Sequence, residues 1–121
     1  MAEPERFEPY VDERGTLVPI EFDDVPFTVR RVFTVTAPGH AALRGDHANA
    51  MRAIMVLVSG SCDVRLGSSP DDVVSAHELR EPGDTVHIAA GSFIRYELLT
   101  GDTTVLVLCD RAYVGSRAPT P

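Results

Sequence analysis

The chain has 121 residues, which is enough for one hydrophobic core but leaves too little for two. Hydrophobic residues make up 44% and charged residues 24%, as in an ordinary globular domain, so disorder along the whole chain is excluded. A net charge of −7 argues against a surface that binds nucleic acid through its phosphates, and no apolar run is long enough to cross a bilayer.

The predicted elements are short strands bounded by turn residues. In chain order they are residues 16–20, 28–36, 53–58, 62–66, 73–79, 85–88, 93–99 and 103–109. No stretch keeps a helical period over three turns, so the pattern predicts an antiparallel sandwich or a small barrel. We expect an N-terminal arm at 1–10, one domain at 11–113 and a mobile tail at 114–121.

The cysteines and the basic residues restrict the chemistry and the compartment. All 11 basic residues are arginine, which excludes a Schiff-base lysine mechanism. Cys62 and Cys109 each lie in an apolar run, and the N-terminus carries no signal peptide. We therefore expect buried, reduced thiols and a cytoplasmic protein.

Several phrases, in this order and spacing, resemble a known family. They are residues 12–21, 25–33, 44–49, 56–64, 88–93 and 105–108, and the resemblance spans about residues 7 to 113. The set is similar to the cupins that act as sugar-nucleotide 3,4-ketoisomerases. It implies an all-β cupin jelly roll, a homodimer and a dTDP-linked 4-keto-6-deoxyhexose as substrate. It also implies proton abstraction at C3 and delivery at C4 through an enediol, with no metal and no cofactor.

The family's Arg-Gly-X-His-Ala-His phrase supplies two histidines, and imidazole suits proton transfer near neutral pH. Here the phrase runs from Arg44 to Asn49, so His47 is the candidate catalytic base. Asn49 holds the second position and cannot exchange protons near neutral pH. A further family histidine corresponds to Ile94 and a family tryptophan to Phe93. Asn49, Ile94 and Phe93 are therefore expected to line the substrate pocket.

The metal-binding cupins provide a second comparison. Their His-X-His, Glu and distant His correspond to His47, Asn49, Ala53 and Ile94. One ligand of four is too few to hold Zn²⁺, Fe²⁺ or Mn²⁺ tightly, so we expect no metal site.

Two residues are candidates for the partner of His47 in proton transfer. Tyr96 shares a strand face with Ile94, so its hydroxyl would point into the same pocket and donate to a carbonyl or enolate oxygen. His87 is opposite in phase to its apolar neighbours and would face the lumen if they face the core between the sheets. A surface position for His87 and a packing role for Tyr96 stay open.

Substrate binding has its own candidates. Arg14, Arg31, Arg44 and Arg95 could clamp a diphosphate, because guanidinium groups bind phosphate oxygens in a bidentate manner. For any one of these arginines a surface ion pair is the alternative. Glu21 matches a family position near the nucleotide end.

Three functions follow as hypotheses. The first is a sugar-nucleotide 3,4-ketoisomerase-like enzyme of deoxysugar or secondary-metabolite biosynthesis. The second is a repurposed, metal-free cupin isomerase or cyclase, since Ala53, Phe93 and Ile94 suit a less polar ligand. The third is a non-catalytic binding protein on the same scaffold.

Overall fold

Strands and turns make up nearly all of the chain that the computed structural model describes, which is residues 6–112. The strands are β1 (Tyr10–Asp12), β2 (Gly15–Leu17), β3 (Arg31–Thr36), β4 (Ala42–Ala48), β5 (Ala53–Ser59), β6 (Cys62–Ser69), β7 (Asp72–Leu79), β8 (Thr85–Ile88), β9 (Phe93–Leu98) and β10 (Thr104–Cys109). A 3₁₀ turn, Phe22–Asp24, precedes β3. Within residues 6–112 no helix has the length and apolar character needed to cross a membrane. The predicted tail at 114–121 and the first half of the predicted arm lie outside the described residues.

Eight of these strands form two four-stranded antiparallel sheets. Their orders are β3-β10-β5-β8 and β4-β9-β6-β7. The buried core draws on both sheets, so the sheets face each other as a jelly roll. Strand β4 is missing from the predicted set, because Gly45 and Asp46 interrupt the alternation by which strands are recognised. It is nevertheless the strand that carries His47.

The outer face of the first sheet is covered by the segment that precedes β3. Phe7 and Val25 pack against Ile54, Val56 and Leu108 on that face. Strand β5 is therefore buried on both sides, which explains why 53–58 reads as a continuous apolar run instead of an alternating one.

The β1–β2 hairpin is not part of this cover. It pairs only with itself, and every one of its strand residues is exposed. Tyr10 and Val11 are each 70% exposed and Leu17 is 59% exposed. A lone two-stranded hairpin is only marginally stable in water, so this apolar surface calls for a partner.

Both cysteines are buried and unpaired, as the sequence predicts. Cys62 has no exposed surface. Burial raises the pKa of its thiol to about 12, and the neighbouring Asp63 carboxylate adds to the shift. Burial also raises the pKa of Cys109.

We expect neither thiol of the native protein to react with iodoacetamide at pH 8, because the thiolate is the reactive form. The unfolded Cys62 thiol ionises near its ordinary pKa of 9.0, whereas the folded one keeps its proton to about 12. The unfolded state binds fewer protons in that interval, so the free energy of unfolding falls as the pH rises above about 9. Intact mass after timed alkylation, with and without guanidinium, checks the reactivity. Equal rates in the two states would contradict it.

Candidate functional site

A small, mainly apolar cavity lies between the two sheets. Its volume is about 30 Å³, which is room for one or two water molecules. The lining residues are Phe33, His47, Asn49, Ala53, Met55, Ile88, Ile94, Tyr96, Val107 and Cys109. No carboxylate belongs to this described lining, whose titratable side chains are the His47 imidazole, the Tyr96 phenol and the Cys109 thiol.

A β-bulge at Gly45 and Asp46 determines which side chains of β4 reach this cavity. The opposed pairs across β4 and β9 are Arg44 with Tyr96, Gly45 with Arg95, and His47 with Ile94. Asp46 is the extra residue, and both bulge residues have positive φ, 81° for Gly45 and 65° for Asp46. Directly opposed residues share a face, so Arg44 and His47 both face inward. In an unbroken strand, residues three apart would point to opposite faces.

The His47 ring is held in a defined protonation pattern. Its Nδ1 lies 3.0 Å from the carbonyl oxygen of Ala48, and a carbonyl can only accept, so the neutral ring carries its proton on Nδ1. Nε2 is buried and has no hydrogen-bond partner among the described residues. The ring therefore offers the Nε2 lone pair as a proton acceptor.

Tyr96 and Arg44 form the other polar part of the site. The Tyr96 hydroxyl and Arg44 Nε are buried and make no hydrogen bond within residues 6–112. Burial raises the pKa of the Tyr96 phenol, and the nearby Arg44 guanidinium opposes the shift without cancelling it. The phenol thus stays protonated at neutral pH and can donate a hydrogen bond to a ligand oxygen.

Asn49 lines the cavity but is committed to the loop that follows β4. Its Nδ2 donates to Met51 O at 2.7 Å. Its backbone amide donates to Ser92 O at 2.7 Å, and Gly91 N donates to Asn49 O at 2.7 Å. Asn49 thereby fixes the chain downstream of His47 and supplies no titratable group.

The structure brings five of the predicted site residues together. Four of them, His47, Asn49, Ile94 and Tyr96, line the cavity, and Arg44 lies beside Tyr96. Arg31 is near the rim, since it opposes the lining residue Cys109 across β3 and β10 and its guanidinium lies 4.7 Å from the Phe33 ring centre.

His87 and Phe93 do not reach the cavity. Val86 and Ile88 do face the core, but that places His87 on the opposite, outer face of the sheet, beside Ile54. The predicted lumen-facing orientation of His87 is therefore not what the structure shows, because neighbours on a strand alternate between faces. Phe93 is buried, yet it lies on the face opposite Ile94 with the Arg95 guanidinium 5.6 Å from its ring centre.

Arg14 and Glu21 lie in the exposed N-terminal segment. Arg14 is at the turn of the β1–β2 hairpin, where it donates to the Asp12 carboxylate at 2.6 Å. Glu21 is exposed at the start of the 3₁₀ turn and caps none of its amides with its side chain. Neither residue lines the cavity.

Five apolar lining residues were not singled out from the sequence as site residues. They are Phe33, Met55, Ile88, Val107 and Cys109. Each occupies an inward position of its strand. Alternation in β3 and β8 could have indicated two of them, whereas the continuous apolar runs of β5 and β10 conceal which residues face inward.

Between residues 6 and 112 no group of three or more histidine, cysteine, aspartate or glutamate side chains is placed to hold a metal ion.

Known proteins supply an independent comparison. A family model described as FdtA: WxcM-like, C-terminal matches residues 3–116. No curated protein matches the chain. Among solved structures, QdtA, a sugar 3,4-ketoisomerase from Thermoanaerobacterium thermosaccharolyticum in complex with TDP, has a TM-score of 0.75 and 28% identity over 90% of this chain and 80% of that chain.

Two further structures are similar. A histidine-to-asparagine variant of QdtA in complex with TDP-4-keto-6-deoxyglucose has a TM-score of 0.74 and 27% identity over 90% of this chain and 79% of that chain. A 3,4-ketoisomerase from Helicobacter canadensis has a TM-score of 0.72 and 24% identity over 91% of this chain and 83% of that chain. The predicted cupin fold and the resemblance to this group of enzymes are confirmed.

Tyr96 should give a late component in a spectrophotometric titration at 295 nm, because burial raises the pKa of Tyr96 above its ordinary value of 10.0. The unfolded state then releases this proton first, so the Tyr96 contribution to the free energy of unfolding declines as the pH rises past 10. Tyr96→Phe should remove the late component and Tyr10→Phe should leave it. Loss of the late component in Tyr10→Phe alone would contradict the assignment.

Proposed function

The chain belongs to the family described as FdtA, WxcM-like, C-terminal, and from this membership we propose that it is a sugar-nucleotide 3,4-ketoisomerase acting on a TDP-linked 4-keto-6-deoxyhexose. One observation carries the proposal. His47 Nε2 is unprotonated in the neutral ring, lacks a partner among the described residues and belongs to a cavity-lining side chain, which is what a base needs before substrate arrives.

The first step is removal of the C3 proton. His47 Nε2 takes this proton, and the electron pair forms the C3–C4 double bond while the C4 carbonyl becomes an enolate oxygen. The Tyr96 hydroxyl, protonated because burial raises its pKa, donates a hydrogen bond to that oxygen. Arg44 beside it adds positive charge where negative charge develops.

The second step restores a ketone at C3. The O3 proton passes to the C4 enolate oxygen, which becomes a hydroxyl, while the C3–O bond becomes the new carbonyl. His47 returns its proton from Nε2 to C4 as the C3–C4 double bond is lost. Asn49 cannot serve as a second base. The proposal therefore assigns both transfers to one imidazole, acting on one face of the sugar.

The cavity sets where the substrate sits. The cavity is small and mainly apolar, so we propose that the reacting edge of the sugar enters it and that the nucleotide stays outside. Of the arginines predicted to clamp the diphosphate, Arg31 and Arg44 lie next to lining residues. In this proposal Arg31 and Arg44 bind phosphate or sugar oxygens of the substrate.

The apolar lining favours a second candidate. Ala53, Met55, Ile88, Ile94 and Val107 give the ligand little to hydrogen-bond with. The same His47 and Tyr96 pair could isomerise a less polar carbonyl compound of secondary metabolism. Two reduced thiols suit a cytoplasmic location for either reaction.

A binding role without turnover is the third candidate. It is favoured by the small cavity and by the relative whose histidine-to-asparagine variant holds TDP-4-keto-6-deoxyglucose. It predicts affinity for a TDP-sugar with no proton exchange.

His47→Ala should lower kcat about 10³-fold, because the general base is removed. Tyr96→Phe should lower kcat about 10²-fold through the lost hydrogen bond to the enolate. The measurement is proton NMR of TDP-4-keto-6-deoxyglucose in D₂O, which follows deuterium entry at C3 and C4. TDP affinity by calorimetry should stay unchanged in both variants.

The matched control is His40→Ala. His40 is exposed and contacts its own next carbonyl, Ala41 O, at 2.9 Å, as His47 does, but it lies off the cavity. It should leave turnover unchanged. Binding of the TDP-sugar without deuterium entry in the wild type would favour the binding role. No binding at all would leave only the less polar ligand.

We also propose a homodimer, formed through the β1–β2 hairpin. The hairpin is the exposed apolar element that lacks a packing partner within its own described chain. A second copy would bury Tyr10, Val11 and Leu17, whose exposure otherwise has no compensation.

Light scattering should give twice the 13.1 kDa chain mass for the wild type and the single-chain mass for Val11→Asp. Val74→Asp is the control, because Val74 is 74% exposed on β7, which belongs to a different sheet from the hairpin. A wild-type protein of single-chain mass, or equal dissociation by both aspartates, would contradict the hairpin interface.

A further inference from the structure

We propose that Gly45, Asp46 and Arg95 form a positioning device that holds the β4 bulge and thereby aims His47 Nε2 into the cavity. The effect of this device on turnover rests on the proposed ketoisomerase function. Its effect on the His47 ring does not, and can be measured without substrate.

The bulge must be stabilised by specific interactions, because β4 could instead pair with β9 as an unbroken strand. In an unbroken β4, Asp46 would share a face with Arg44 and His47 would point outward. The single extra residue reverses this arrangement: Asp46 turns outward and His47 inward. A one-residue slip would therefore remove the base from the site and put a carboxylate in its place.

The Asp46–Arg95 ion pair stabilises the outward position of Asp46. Arg95 Nε and Nη2 both donate to Asp46 Oδ1, at 2.9 and 2.6 Å. The arginine is partly fixed before it makes the pair, since its side chain is only 30% exposed and its guanidinium lies over the Phe93 ring. Arg95 also opposes Gly45 across the two strands, so the pair closes over the bulge itself.

Gly45 allows β9 to approach the bulge closely. Its φ of +81° is one that residues with a Cβ adopt at a cost. A Cβ at this position would lie 2.9 Å from Ile94 O and 3.2 Å from the Tyr96 ring. A side chain here would push Ile94 and Tyr96 of β9 away from β4.

Downstream of His47 the chain is fixed independently, by the two backbone hydrogen bonds of Asn49 to Ser92 and Gly91. His47 thus lies between two anchors on the same pair of elements. Loss of the Asp46–Arg95 ion pair leaves the loop after β4 in place and frees the His47 ring. We therefore expect a change in the orientation of the ring and no loss of folding.

The test is nitrogen-15 NMR of the histidine rings in the substrate-free protein, applied to the wild type, Arg95→Met, Asp46→Asn and Arg95→Lys. In the wild type His47 should show the Nδ1–H tautomer fixed by Ala48 O. Arg95→Met should give a mixture of tautomers, because the carboxylate loses its partner. Asp46→Asn keeps a residue tolerant of positive φ and should give a smaller change. Arg95→Lys should restore most of the wild-type pattern.

Turnover supplies the second readout. In Arg95→Met kcat should fall about tenfold, as expected for a misplaced base, while TDP affinity stays unchanged. The control is Arg80→Met, which removes the 2.7 Å ion pair between Arg80, the residue after β7, and Asp63 on β6, together with the Arg80–Glu78 pair. It should alter neither the tautomer nor kcat. Arg95→Met with a wild-type tautomer would overturn the proposal whether or not the wild type turns over substrate. A changed tautomer in an inactive wild type would uphold it and reject the ketoisomerase function instead.

Discussion

The β-bulge at Gly45 and Asp46 is the local constraint on which the site depends, because it decides which side chains of β4 share the cavity. With it, Arg44 and His47 both face β9 residues that point inward. The bulge sits at the edge of the second sheet, where an extra residue disturbs one strand pair only. The rest of the jelly roll acts as the rigid frame against which that disturbance is fixed.

The polarity of the cavity follows from the same arrangement. Most of the wall is apolar, and the buried polar atoms His47 Nε2, Tyr96 Oη and Arg44 Nε make no hydrogen bond to any residue between 6 and 112. In a low-dielectric pocket such atoms gain more from a ligand than they would in water. The site is thus ready to bind a carbonyl or hydroxyl edge while offering little to the remainder of a sugar.

The sequence predicts much of this site but not the device that builds it. Period-two alternation places Ile94 and Tyr96 on one face, and the resemblance picks out His47. Alternation fails for β4, because Gly45 and Asp46 shift the phase in its middle, and the shift depends on a cross-strand partner 49 residues away. For His87 the alternation is regular: Val86 and Ile88 face the core, so His87 between them faces outward. Strand β5 is apolar on both faces because both are buried, so its sequence does not indicate that Met55 faces the cavity.

A crystal structure of the protein with TDP-4-keto-6-deoxyglucose tests the central claim most directly. The account predicts that C3 and C4 of the hexose lie within reach of His47 Nε2 and that the C4 oxygen accepts a hydrogen bond from the Tyr96 hydroxyl, with the nucleotide outside the cavity. A hexose bound away from these two side chains, with the nucleotide or another group in the cavity, would contradict it.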